Sequence, residues 1–205
     1  LVGCAVGAFL AGRLADLMGR RNVMMLAAVA FLVSALVQGT AESNLVFAIA
    51  RAIGGMAVGA ASVLSPAYIS EVTPASTRGR LSSLQQIMII AGLTGAFLVN
   101  SLLREYAGES TNELWYGFAA WRWMFLMQAA PAVVFLVALL FIPESPRYLV
   151  MRGRDEKAQQ VLTSLFGADV AAAKVAEIRS TLSADHRPRL SDALNQFLFQ
   201  ARPAS

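Results

Sequence analysis

The amino-acid sequence predicts an all-α membrane protein, and three observations carry that expectation. Hydrophobic residues make up 57% of the 205-residue chain against 15% charged ones, and the mean hydropathy is +0.56; a soluble domain of this size needs a more polar surface. Five apolar segments approach or exceed the roughly 20 helical residues that span a hydrocarbon core of about 30 Å. The connections between them alternate between arginine-rich and acidic.

The segments run Leu1–Met18, Val23–Ala41, Leu45–Ile69, Leu81–Leu103 and Trp123–Ile142, so residues 1–142 read as one transmembrane bundle. The first is short. The chain opens without Met inside an apolar run, which reads as a fragment with its first span incomplete. Gly3 with Gly7, and Gly55 with Gly59, put small residues four apart, the spacing that lets helices approach closely in lipid. Cys4 stands alone in its segment and reads as a packing residue, with no disulfide framework or metal-ligand spacing.

Gly12-Arg13-Leu14-Ala15-Asp16-Leu17-Met18-Gly19-Arg20-Arg21 places four charges in a short turn between the first two spans. Arg78 and Arg80 follow the third span; Glu42 lies on one alternate connection, and Glu105, Glu109 and Glu113 on the other. By the positive-inside bias the Arg20-Arg21 loop, the Arg78–Arg80 loop and the tail are cytoplasmic, and the acidic connections are outside. Trp115, Tyr116, Phe118, Trp121 and Trp123 then gather at the outer interface, where amphipathic rings prefer to sit. The expected location is the cell (inner) membrane, crossed several times.

After Ile142 the chain turns polar. Pro143 ends the span, and Ser145-Pro146 reads as an N-cap followed by proline at the first helical position. That helix would stop at Gly153. Asp155 is expected to cap a second, with Ala158, Val161, Leu162 and Leu165 on one face and Gly167 at its end. A third would bury Ala171, Val175, Ile178 and Leu182. Residues 143–190 are thus expected to be short cytoplasmic amphipathic helices, and 191–205 stay unassigned.

The net charge of +4 and pI near 9.7 come from arginines in loops and tail. No basic stripe alternates with aromatics, so nucleic acid is not an expected partner. The single histidine, His186, lies in a polar stretch. With no nucleophile–base spacing, metal cluster or phosphate-binding glycine loop, neither an enzyme nor a cofactor is expected.

Arg51 lies about six residues inside the third span, where insertion costs roughly 2.5–3.5 kcal/mol. Glu71 cannot pair with it, being about 30 Å away along the same helix. Either Arg51 snorkels to the outer interface, or its partner is on a helix absent from this chain. Near the opposite end, Glu71, Arg78 and Arg80 flank the Val72–Gly79 loop, close to Asp16, Arg20 and Arg21. These are either solvated loop charges or a salt-bridge lock on a gate.

Together these residues resemble a sugar porter of the major facilitator superfamily, over its second to sixth helices and intracellular helical segment. The resemblance rests on three motifs in order. They are Gly12…Asp16…Gly19-Arg20-Arg21; Arg51-Ala52-Ile53-Gly54-Gly55-Met56-Ala57-Val58-Gly59 with Tyr68, Glu71 and Arg78; and Pro143-Glu144-Ser145-Pro146-Arg147. It extends to about Leu190.

That resemblance implies an N-terminal half bundle of a secondary transporter moving a monosaccharide by alternating access, in a lipid bilayer. It implies that Gln86, with Ile89 one turn on, binds sugar. An amide donates and accepts as a sugar hydroxyl does; read from residues alone, Gln86 could equally be helix–helix glue. Gln85 points about 100° away and is not expected in the same cavity. Asp16, Arg20, Arg21, Glu71, Arg78, Glu144 and Arg147 are implied to form the cytoplasmic gate network. Arg51 is implied to pair with an acid of a missing first helix in symporters, which leaves proton symport and facilitated diffusion both open. The other readings are a transporter of organic acids or drugs, a non-transporting sensor on the same fold, and an inactive truncated product.

Overall fold

The computed structural model describes residues 1–185; His186, the last residues of the 143–190 helical region and the 191–205 stretch lie outside them. The chain divides into two units, Leu1–Ser145 and a second beginning at Pro146.

The first unit holds helices α1 (Val2–Met18), α2 (Arg20–Thr40), α3 (Asn44–Val72) and α4 (Ala75–Ala107). A small hairpin follows, β1 (Glu113–Trp115) with β2 (Phe118–Ala119), and then α5 (Ala120–Leu126) and α6 (Ala129–Phe141). Among the described residues four stretches are long and apolar enough to cross a membrane: Arg20–Thr40, Asn44–Val72, Ser76–Ala107 and Ala120–Phe141. Helix α1 has 17 residues, about 25 Å of helix.

Small residues set the packing. Helices α1 and α3 meet backbone to backbone: a Cβ on Gly7 would overlap the Met56 carbonyl, and one on Gly59 the Cys4 carbonyl. A Cβ on Gly3 would come within 2.6 Å of the Ala52 oxygen. The glycine spacing read from the sequence is therefore a helix-crossing seam. Around it, Ala11, Ala15, Ala27, Ala28, Ala57 and Ala60 are buried with Val23, Met24, Leu64 and Leu139.

Two expected loops contract. The Gly12–Arg21 turn is almost wholly helix, with Gly19 alone breaking it at φ 96°. Arg13 to Met18 are ordinary helix formers with nothing to stop them, whereas Gly19 adopts a conformation that side chains disfavour. Likewise only Thr73 and Pro74 separate α3 from α4. Thr73, the residue before Pro74, is pushed into an extended conformation that ends α3, and Pro74 serves at a helix start, so Arg78 and Arg80 sit on the first turns of α4 rather than in a loop.

The last apolar segment, expected as one span over Trp123–Ile142, is interrupted at Met127 and Gln128. Pro131 explains the break: it has no N–H to offer the Met127 carbonyl, and its ring crowds that oxygen. The carbonyl accepts instead from Ala130 N at 3.3 Å, a tighter turn. The hairpin is a further departure from all-helix. Its turn residues Tyr116 and Gly117 have φ 54° and 73°, the left-handed pair of a tight two-residue hairpin. Trp115 stacks edge-on against Trp123 with centroids 5.6 Å apart.

The second unit contains α7 (Pro146–Met151), α8 (Asp155–Phe166) and α9 (Ala168–Asp185), broken at Gly153 (φ 69°) and Gly167 (φ 86°). Leu149, Val150 and Ala158 form its core, with Val161, Val175, Ile178 and Leu182 packed on it. Leu162 and Ala171 are buried, while Leu165, in the last turn of α8, is exposed. Asp155 does not bond back to cap α8. It is the first helical residue, and its carboxylate pairs with Arg179 of α9.

Candidate functional site

Two polar clusters occupy opposite ends of α3. Near its start, Ser34 and Gln38 on α2 are buried at 2% and 4% exposure among apolar helices. The Ser34 hydroxyl donates to the Ala50 carbonyl at 2.7 Å. Gln38 Nε2 donates to Ser34 Oγ at 2.6 Å and to the Ser34 carbonyl at 3.2 Å. Its free oxygen, Oε1, accepts from Arg51 Nη1 at 3.3 Å. The guanidinium also lies 5.3 Å from the ring centre of Phe125, an attractive cation–π placement. Phe47 and Phe125 meet edge-on at 5.2 Å. Gly54 makes room for the cluster, since a Cβ there would overlap Ser34 Oγ.

At the other end, α1, α2, α3 and the segment after α6 converge. Arg20 Nη1 bonds Asp16 Oδ1 at 2.9 Å, and its Nε lies 3.3 Å from Glu71 Oε1. Arg20 and Glu71 are 12% and 14% exposed, against 58% for Asp16. Glu71 Oε2 accepts the hydroxyl proton of Ser145. Arg21 and Glu144 are joined differently from a side-chain ion pair. Arg21 Nε and Nη2 donate to the Leu139 and Leu140 carbonyls at 3.0 and 2.9 Å. Glu144 Oε1 accepts the backbone N–H groups of Arg21 at 3.1 Å and Ser145 at 2.9 Å. Each side chain caps the other's helix end. Tyr68 completes the cluster, its hydroxyl donating to the Pro143 carbonyl at 2.8 Å.

Of the expected network, then, Asp16, Arg20, Arg21, Glu71 and Glu144 come together. Arg78 is exposed on α4, and among the described residues no carboxylate lies within ion-pair distance of it. Arg147 sits in the first turn of α7, in the second unit. Sequence reasoning missed Gln38 and Ser34, whose signal was two polar residues one turn apart inside an apolar span. It read Ser145 as a cap and overlooked its hydroxyl as a donor to Glu71.

A cavity of about 510 Å³ lies between α2, α3, α4 and α6. Ile89, Gln85 and Met88 line it from α4. Gln86 is exposed on α4 outside that wall. Apart from Gln85, Ser62 and Ser65, the lining is apolar, and the Ser62 hydroxyl is already committed to the Val58 carbonyl at 2.8 Å.

The first unit is thus a helical bundle with glycine-seamed crossings and a charge cluster at one end. The family model described as "Sugar (and other) transporter" matches residues 1–202. The chain belongs to the sugar transporter family. Within that family it is 48% identical over 197 residues to a glucose transport protein of Synechocystis sp., covering 96% of this chain and 42% of that protein. It is 36% identical over 215 residues to the D-xylose-proton symporter of Escherichia coli strain K12, covering 96% and 43%. The solved xylose transporter XylE from E. coli, in a partially occluded inward open conformation, superposes with a TM-score of 0.80 at 35% identity, over 90% of this chain and 46% of XylE. The chain thus spans less than half the length of these sugar transporter relatives. Its fold is the all-helical half bundle of a major facilitator sugar porter, a multi-pass membrane protein.

Proposed function

We propose that the chain is part of a secondary transporter that moves a monosaccharide across the cytoplasmic membrane by alternating access, either as sugar–proton symport or as facilitated diffusion. The observation that carries this reading is the likeness, over nearly the whole chain, to proteins named for transport of glucose, arabinose and xylose. The charge cluster joining Arg20, Glu71 and Ser145 is consistent with a gate at the cytoplasmic end, where the arginine bias puts it. In this reading Asp16, Arg20, Arg21, Glu71, Arg78, Glu144 and Arg147 serve that gate, and the second unit and tail are cytoplasmic. No catalytic chemistry is assigned to any residue.

Gln86 and Ile89 are proposed to meet the sugar. Gln86 is exposed on a helix face that the first unit leaves uncovered, which suits a site completed by another part of the protein. The 510 Å³ cavity is too apolar to hold a polyol by itself, because sugar hydroxyls buried without partners are costly. Arg51 is proposed to serve proton coupling as an intramembrane cation. Transport needs two bundles rocking about a shared site, so the activity belongs to the whole protein.

The test is uptake of labelled glucose, xylose and arabinose into proteoliposomes holding the full-length protein, with and without an inward proton gradient. Uptake of one of them is expected, and its dependence on the gradient distinguishes symport from facilitated diffusion. Carriage of an organic acid with no sugar uptake would overturn the reading. Gln86→Ala is expected to weaken sugar binding roughly 5- to 30-fold, the worth of one good hydrogen bond, without loss of membrane insertion. Sugar affinity unchanged in titration calorimetry would remove Gln86 from the site.

A further inference from the structure

Helices α3 and α5 interlock through two side chains from each. Phe47 and Arg51 stand one turn apart on α3, and Trp121 and Phe125 one turn apart on α5, so each pair shares a helix face. The three rings close a triangle. Phe47 meets Trp121 at 6.2 Å and Phe125 at 5.2 Å, and Trp121 meets Phe125 at 6.2 Å, each pair edge to face. In such pairs the positive edge of one ring lies on the negative face of its neighbour. Turning the Phe125 ring would break two of these contacts at once.

The helix beneath the rings is fixed as well. The first two N–H groups of α5, from Ala120 and Trp121, donate to the Asn112 and Ser110 carbonyls at 2.9 and 3.0 Å. Its last residue, Leu126, lies so close to α2 that a Cβ on Gly39 would overlap it. Phe125 thus presents its ring from a short helix held at both ends. The Arg51 guanidinium lies over that ring, 5.3 Å from its centre.

A ring face attracts a cation through its quadrupole and claims no N–H in the guanidinium plane. Gln38 takes one N–H at Nη1, and a guanidinium carries five. Donors are therefore left for the acidic partner that the sugar-porter resemblance implies. The ring sets where the charge stands, whatever it pairs with.

We propose that Phe125, set by Phe47 and Trp121, is a positioning residue that fixes the place of the Arg51 cation in the bundle. For its effect on turnover this rests on the transport reading above.

The experiment replaces Phe125 of the full-length protein, reconstituted in lipid, with mono-, di- and trifluorophenylalanine. Fluorine withdraws charge from the ring face and nearly preserves the size of the ring, so its attraction for a cation fades while it still fills its place. Sugar turnover is expected to fall stepwise along the series, by about fivefold at the trifluoro ring, with KM within about twofold. Phe118 is the control. Arg122 lies over it at 5.6 Å, and the same three rings there are expected to change turnover by less than about twofold. Equal falls at the two positions, or no fall at Phe125, would overturn the proposal. In protein labelled with ¹⁵N-arginine, the side-chain resonance that disappears in Arg51→Lys is expected to shift progressively with fluorine at Phe125 and to stay in place with fluorine at Phe118. A resonance unmoved by fluorine at Phe125 would overturn the proposal too. If the unsubstituted protein carries no sugar, the transport reading fails by itself, and that resonance decides whether Phe125 holds Arg51.

Discussion

Gly59→Ala is expected to destabilise the bundle by about 3 kcal/mol or more, one of the largest effects of any single methyl group in this chain. The new Cβ would overlap the Cys4 carbonyl. Its neighbour across the seam is backbone, which cannot swing aside as a side chain can. Either α1 and α3 separate, losing packing along the seam, or a helix bends; overpacking of this kind costs 1–3 kcal/mol in ordinary cores and more where backbone is struck. Gly55→Ala supplies the control on the same helix. There the nearest atom to a new Cβ is Cys4 N at 3.5 Å, an ordinary contact, so the cost is expected to stay below about 0.5 kcal/mol. Thermal unfolding of the two purified variants in detergent distinguishes them. Equal midpoints would mean that the seam does not limit the helix approach.

The second large effect is expected at Glu71. Glu71→Ala removes one member of a pair in which both side chains are more than four-fifths covered, and it takes away the carboxylate that accepts from the Ser145 hydroxyl. Loss of one partner from a buried pair costs about 3–5 kcal/mol. Arg20 retains Asp16 and the Ala15 carbonyl at 3.1 Å, so the lower figure is the expected one. Asp16→Ala removes the other partner of the same arginine, but from a carboxylate that is 58% exposed. Water screens that pair, and about 1 kcal/mol or less is expected. Unfolding midpoints in low and high salt give a further sign: the Asp16 contribution is expected to shrink with salt, and that of Glu71 to persist. A larger loss for Asp16→Ala than for Glu71→Ala would refute the assignment of the buried member.

Much of this architecture was legible because the signals are local. The apolar spans, the glycines four apart and the stops at Gly153 and Gly167 each follow from one segment read alone. What was hidden depends on which segments meet. Gln38 and Arg51 are distant in sequence pattern, on different helices, and nothing in either span says that they face each other. The hairpin was masked because Tyr116 reads as an interfacial aromatic, and only a fold can hold a tyrosine at positive φ. The break before α6 carries a local signal in Pro131, which a reading of the apolar run by length alone passes over. For the candidate site, the sequence named five residues that do converge at the end of α3. The form of the union at Arg21 and Glu144 was not legible, since charge alone says nothing of helix ends while the geometry uses each group on a helix terminus.

That reciprocal capping has a mechanical meaning. The start of α2 and the end of α6 share one fastening: pulling them apart would strip donors from two carbonyls and an acceptor from one amide at once. A single ion pair breaks by degrees as its partners slide, but three directional bonds fail together or hold together. Helices α2 and α6 are therefore coupled like two rods pinned at one end. Any large displacement of one carries the other along, and whatever bending the bundle undergoes is thrown onto the glycine joint at position 19 and the proline break ahead of α6.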